Sequence, residues 1–225
     1  MNQNTPMRPR RGRPPKPEGQ RQAIRDQLLS CGVATLTEKG FAAVGIDEIL
    51  RAAGVPKGSF YYYFDSKEAF GSALIAAYGT YFARKLDRCF GDETRPPLAR
   101  LATFVEEAKA GMARFNYRRG CLIGNLGQEM GALPESFRAQ LGAVFDDWQA
   151  RTAACLRAAQ AQGEIPAGED CDRLAKMFWI GWEGAVLRAK LERSAEPLDI
   201  FAQGFLSALR VQRLQTGEMQ CSRES

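Results

Sequence analysis

Ile46-Asp47-Glu48-Ile49-Leu50-Arg51-Ala52-Ala53-Gly54-Val55-Pro56-Lys57-Gly58-Ser59-Phe60-Tyr61-Tyr62-Tyr63-Phe64 is the stretch that decides the fold. Ile46, Ile49 and Leu50 recur at helical spacing behind the acidic first-turn residues Asp47 and Glu48, so a short helix forms and stops at Gly54. Pro56 has its φ preset for a first helical turn and opens a second short helix over Lys57–Phe64. Two short helices joined by a tight glycine-containing turn have the dimensions of a helix-turn-helix. In the second helix Phe60 and Phe64 lie one turn apart and define an apolar face. Tyr61, Tyr62 and Tyr63, stepping by about 100°, spread around the remainder. Spacing alone leaves two readings equally weighted. The aromatic residues pack a small three-helix core, or some of them face outward beside Lys57 and Ser59, where hydroxyls and rings can meet phosphates and base edges.

Working outward, Ile24, Leu28, Cys31 and Leu36 form a helical stripe that predicts a helix over 20–39, ended by Gly40. Ser66 is placed to cap a longer helix carrying Phe70, Leu74, Ala77, Tyr78, Tyr81, Phe82 and Leu86. Pro96-Pro97 breaks the chain, and Leu98 to Phe115 resumes the amphipathic pattern. A glycine-punctuated segment, Gly120 to Gly131, leads to helices expected over about 134–162, 171–193 and 197–213. No alternating run argues for a strand, so the expected fold class is all-α. The divisions are a basic arm at 1–19, a helix-turn-helix domain at 20–66, a helical ligand-binding and dimerisation domain at 67–214, and a flexible tail at 215–225.

Charge and composition narrow the function. The 31 basic and 26 acidic residues give a net charge of +5, all of it attributable to Arg8, Arg10, Arg11, Arg13 and Lys16 in a proline-rich start that lacks acidic residues. Such an arm favours a polyanion. No apolar run approaches the roughly 20 residues needed to cross a bilayer, which ranks nucleic acid above membrane. No secretory signal is visible, and the six dispersed cysteines suit a reducing cytoplasm rather than a disulfide framework. The absence of histidine removes His-based triads and His-ligated metal sites, and no nucleotide-binding glycine motif occurs, so neither catalytic residue, metal nor cofactor is expected. A small-molecule-binding or thiol-reactive enzyme carrying a DNA-binding domain is the competing class.

The run from Ile46 through Phe64, with Ser66-Lys67-Glu68 after it, closely resembles the TetR family of bacterial transcriptional regulators over roughly residues 20 to 75. That resemblance implies an all-helical homodimer that binds a palindromic double-stranded operator and is released by a small effector. It implies that Lys57, Gly58, Ser59, Tyr61 and Tyr62 form the recognition surface, that Tyr63 and Lys67 contact phosphates, and that Phe60 and Phe64 are core. Gly45 departs from the threonine that in the family usually caps the first short helix and touches a phosphate, which puts that one backbone contact in doubt, and Pro56 departs from the usual serine. Arg10, Arg11 and Arg13 around Gly12-Arg13-Pro14 resemble an AT-hook core, in which arginines enter a narrow A·T minor groove; a solvated charge run attracting phosphates in general is the alternative.

Two later stretches resemble one branch of the family, the repressors responding to acrylate and those responding to electrophiles and hypochlorite. They are Gly120-Cys121-Leu122 and Gly184 to Ser194, continued by Glu196-Pro197-Leu198. The resemblance assigns oxidation sensing to Cys121 and Lys190. Arg118 and Arg119 immediately before Cys121 are expected to favour its thiolate. The alternative is a small apolar side chain filling a helix contact. For a reversible ligand, Phe115, Asn125, Gln128, Trp148, Trp179, Trp182 and Glu183 are lining candidates, with Arg118 available to pair a carboxylate such as acrylate. The last two helices carry more large apolar residues than one domain face requires, which suits a dimer through a four-helix bundle.

Overall fold

The structure is a computed structural model that describes residues 18–221. Among these residues every regular element is helical: α1 Glu18–Lys39, α2 Ile46–Ala52, a 3₁₀ helix Lys57–Tyr62, α3 Lys67–Phe90, α4 Pro97–Ala113, α5 Leu122–Gln128, a 3₁₀ turn Met130–Ala132, α6 Ser136–Ala161, α7 Cys171–Glu192 and α8 Glu196–Cys221. The arm with Arg10, Arg11 and Arg13 lies outside the described residues.

Local chemistry sets the boundaries. Gly40, at φ 88°, ends α1 in a conformation that suits glycine. The Ser66 hydroxyl accepts from the Ala69 N–H at 3.0 Å and caps α3, while Asp170 accepts from the N–H groups of Asp172 and Arg173 to start α7. Two expectations need correction. The recognition segment is a 3₁₀ helix ending at Tyr62, because six residues between Pro56 and a turn close i→i+3 bonds, Ser59 N–H to Pro56 and Tyr63 N–H to Phe60. The last helix, expected to end near 213, continues as α8 through Cys221, and residues 222–225 of the expected tail lie outside the described residues.

The first three elements close over a small core of Leu28, Ile49, Leu50, Phe60 and Phe64, against which Phe70 at the start of α3 packs. Gly32 makes the joint possible, since a Cβ there would stand 2.6 Å from the Phe70 ring. The larger core is aromatic. Trp148 and Trp179 meet at 4.8 Å between ring centroids, Phe82 lies 4.4 Å from Trp148, and Phe104 and Phe178 complete the layer. α3 spans both cores and α1 packs along it, so neither half is independent of the other.

Candidate nucleic-acid interface and ligand cavity

The 3₁₀ helix divides its aromatic residues between inside and outside. Phe60 is completely buried and Phe64 nearly so, both in edge contact with Phe70. Tyr61 and Tyr62 are 67% and 48% exposed, with the Arg21 guanidinium 4.6 Å from the Tyr62 ring centroid. Tyr63 is half-buried with its ring edge-on to Tyr62. Lys57 is exposed and pairs with Asp47 at 2.6 Å. Gly58 has open space where a side chain would stand, and Ser59 is half-buried beside it. Gly45 leaves α2 without a side-chain cap. Lys67 departs from the expected phosphate-facing pose. Its ammonium donates to the Phe41 carbonyl at 2.8 Å and sits over the Phe41 ring, and burial lowers its pKa although Glu129 opposes that shift.

Beneath this surface lies a cavity of about 670 Å³ between α1, α3, α4, the start of α5 and α7. Its floor is α1 itself, through Leu29, Val33 and Thr37; Tyr78, Phe82 and Lys85 of α3 form the facing wall. Of the lining candidates, Phe115, Trp182 and Glu183 border it, and so does Cys121. The other candidates are elsewhere. Gln128 is exposed at the end of α5, and Trp148 and Trp179 are sealed in the aromatic core. Arg118 is turned towards Glu38, at 3.6 Å.

The thiol reverses the expected electrostatics. Cys121 is buried, and its sulfur accepts the Gly124 N–H at 3.5 Å as the cap of α5. Burial, then the adjacent Glu183 carboxylate, push its pKa well above the usual thiol range. Arg118 and Arg119 do not counter this, because both are drawn towards Glu38, at 3.6 and 3.8 Å. Burial also lifts Glu183 to about 7. It lifts Tyr78 as well, with Cys121 and Glu183 adding to the shift. Gly124 explains part of the glycine-rich segment: a Cβ there would fall 1.9 Å from a Glu183 carboxylate oxygen, so only glycine lets that carboxyl reach the thiol corner.

Asn125 and Lys190 do something the sequence did not foretell. Both donate to the Thr37 carbonyl at 2.9 Å, from Asn125 Nδ2 and Lys190 Nζ, in the last turn of α1. Glu129 accepts the next free donors, the N–H groups of Phe41 at 3.0 Å and Ala42 at 2.8 Å. The C-terminal end of α1 is thus gripped from α5, the turn after it and α7. Partners 88 and 153 residues away leave no local signal, which is why Glu129 went unnoticed. Tyr78, Lys85 and Arg119 were also missed as lining residues, although Tyr78, Phe82 and Lys85 share one face of α3 by their spacing.

On the outer side of α7 and α8, Met177, Ile180, Leu187, Leu191 and Ile200 are exposed, with Ile180 at 78%. The first four recur at helical spacing as one apolar stripe. No helix among the described residues is long and apolar enough to cross a membrane.

Known proteins share both halves. Residues 28–74 match the family model of bacterial regulatory proteins of the tetR family, and residues 97–205 match the tetracyclin repressor-like C-terminal domain. The chain is 56% identical over 202 residues to the transcriptional regulator AcuR of Cereibacter sphaeroides, covering 90% of this chain and 92% of that one. It is 31% identical over 180 residues to the transcriptional repressor NemR of Escherichia coli K12, covering 78% and 88%. A crystal structure of a regulatory protein TetR from Rhodobacter sphaeroides superposes with a TM-score of 0.80 at 58% identity, over 82% of this chain and 97% of that one.

Proposed function

This chain belongs to the TetR family of bacterial transcriptional regulators, and from that premise we propose that it is a cytoplasmic homodimeric repressor whose operator is released when a small carboxylate or electrophile of the acrylate type enters the α1–α3–α7 cavity. One observation carries the reading: α1, which floors the cavity, also forms part of the core that holds the 3₁₀ reading helix. An effector that displaces Val33 or Thr37 moves α1 as a unit, because packed helices shift rather than deform. Residues 20–66 then serve as the reading domain and 67–214 as the sensing and pairing domain. The exposed stripe Met177–Ile180–Leu187–Leu191 with Ile200 pairs two copies and supplies the two-fold symmetry that an operator palindrome mirrors.

On the DNA side, Tyr61, Tyr62, Lys57, Gly58 and Ser59 face the major groove, and Tyr63 contacts phosphate. Lys67 serves there only after letting go of the Phe41 carbonyl. The arm with Arg10, Arg11 and Arg13 adds minor-groove or phosphate contacts. On the effector side, the Cys121 thiol is held protonated, so attack on an activated alkene needs Glu183 to take the proton. A sulfur–carbon bond forms at the β-carbon as the alkene π bond breaks, and the displaced electron pair takes the thiol's proton back from Glu183 at the α-carbon. Asn125 and Lys190 act on the response by releasing or keeping Thr37, not by binding the effector.

The test is selection of bound fragments from genomic DNA, followed by fluorescence anisotropy of the selected operator with acrylate, methyl acrylate and hypochlorite. Release of a palindrome by one of these, with loss of the response to methyl acrylate in Cys121→Ser, is the expected result. Operator binding that is indifferent to all three refutes the effector reading, and turnover of the added compound without DNA binding favours the enzyme alternative.

A further inference from the structure

Lys85 is a charge without a counterpart. It stands on the cavity wall, half-buried, with its ammonium 5.5 Å from the Phe104 ring centroid and 5.9 Å from that of Phe82. Among the described residues it has neither a hydrogen bond nor an ion pair. The carboxylate best placed to neutralise it, Glu107, is occupied by a bidentate bridge from Arg88 at 2.9 and 2.6 Å and by the Cys89 thiol at 3.6 Å. Burial disfavours the charge of Lys85, with Glu107 and Cys89 opposing that shift from a distance. The other cation on the wall, Arg119, is committed to the Phe115 ring at 4.1 Å and inclined to Glu38. The cavity lining also carries the carboxyl groups of Asp26 and Glu183, but neither forms an ion pair with Lys85 among the described residues, and a half-buried cation without an ion-pair partner is a site for an anion.

The cavity's other polar corner is Tyr78 with Cys121 and Glu183. Tyr78 and Lys85 are two helical turns apart on one face of α3, about 10 Å of axial rise. Between them the wall is Phe82, and Met112 and Trp182 also line the cavity. A three-carbon acid reaches one corner and leaves the rest of the 670 Å³ to water. A single ammonium suits a singly charged head.

We propose that Lys85 recognises the carboxylate of the effector, and that the cavity takes monocarboxylic acids whose apolar chain runs along α3 from Lys85 towards Tyr78 and Cys121. This rests on the reading of the cavity as the effector site and sharpens it to a ligand class and a specificity residue.

The probes are acrylate, hexanoate, octanoate and neutral octanamide, titrated calorimetrically into the full-length dimer and into Lys85→Met and Lys85→Arg, with operator release followed in parallel. Wild type is expected to bind octanoate more tightly than acrylate, and on the order of tenfold or more tighter than octanamide. Lys85→Met loses the preference of acid over amide, and Lys85→Arg keeps it. If Lys85→Met retains that preference, or Lys85→Arg loses it, the carboxylate is recognised elsewhere and the assignment is overturned. If acrylate binds as tightly as octanoate, the ligand does not span the two corners and the chain-length half fails. If no acid binds wild type while methyl acrylate still releases the operator, the proposal fails and the effector site stands. If nothing binds or releases, both fail.

Discussion

Stripping the donors from the Thr37 carbonyl is the sharpest perturbation this molecule offers. Thr37 is 3% exposed. The N–H that would satisfy its carbonyl in a continuing helix, that of Phe41, is bound by Glu129 instead, so only Asn125 and Lys190 remain. In Asn125→Ala a neutral hydrogen bond is lost while Lys190 still serves the carbonyl, a cost of about 0.5–1.5 kcal/mol. In Lys190→Met the charge-assisted bond goes and the stem stays. Since Lys190 is half-buried rather than sealed, the cost falls near the low end of the charged range, about 1–2 kcal/mol. The double variant leaves a buried carbonyl with no donor, adding a desolvation penalty of about 1–3 kcal/mol that neither single change incurs. The two costs are therefore expected to couple, with the double variant worse than the sum by at least about 1 kcal/mol. Urea unfolding at fixed protein concentration, read through tryptophan fluorescence, measures this directly. Operator anisotropy on the same variants reports whether loosening α1 also weakens DNA binding. Additivity within about 0.5 kcal/mol, with operator affinity unmoved, would mean that water replaces both donors and that the grip transmits nothing.

Tyr61→Ala is expected to weaken specific operator binding by about 1–3 kcal/mol with helicity intact by circular dichroism, whereas buried Phe60→Ala should lower stability by about 3–5 kcal/mol; equal loss of helicity in both would show that Tyr61 is core. Glu183 gives a pH signature. Its folded-state pKa of about 7 lies above the ordinary 4.5, so the folded state holds a proton that the unfolded state releases, and stability falls as pH rises from 4.5 to 7 and stays lowered above that. Glu183→Gln should lack this fall, so the urea midpoint of wild type drops relative to the variant across that window; parallel profiles would refute the shift. Ile180→Glu places a charge in the exposed stripe of α7 and should leave a folded monomer with weak operator affinity by analytical ultracentrifugation, while a persistent dimer would remove the stripe from the interface.

The parts of this molecule that a sequence can announce are those decided within one or two helical turns. Gly54-Val55-Pro56 fixes the turn, Ser66 caps α3, and the four-residue interval between Phe60 and Phe64 marks the buried face of the reading segment. The α-helical form of that segment was misjudged because six residues favour tighter bonding, a matter of length rather than composition. α8 runs past its apolar periodicity to Cys221, because periodicity fades before helix propensity does. The thiol site shows the deeper limit. Arg118 and Arg119 are sequence neighbours of Cys121, but Glu38, on α1, claims them, and Glu183, more than sixty positions along, sets the environment of the sulfur instead. Adjacency in the chain says little about which charge a buried group feels.

The double duty of α1 constrains how such a protein can diversify. Residues of α3, α4 and α7 that face the cavity, such as Lys85, Met112 and Trp182, can vary with the effector while the reading head keeps its operator. On the proposed reading the cavity-facing positions of α1, Leu29, Val33 and Thr37, cannot vary so freely, because they sit on the helix that also packs against the 3₁₀ segment's core. New inducer specificities selected from a mutant library should therefore accumulate on the α3, α4 and α7 walls, and substitutions on the floor should surface as constitutive or non-inducible regulators.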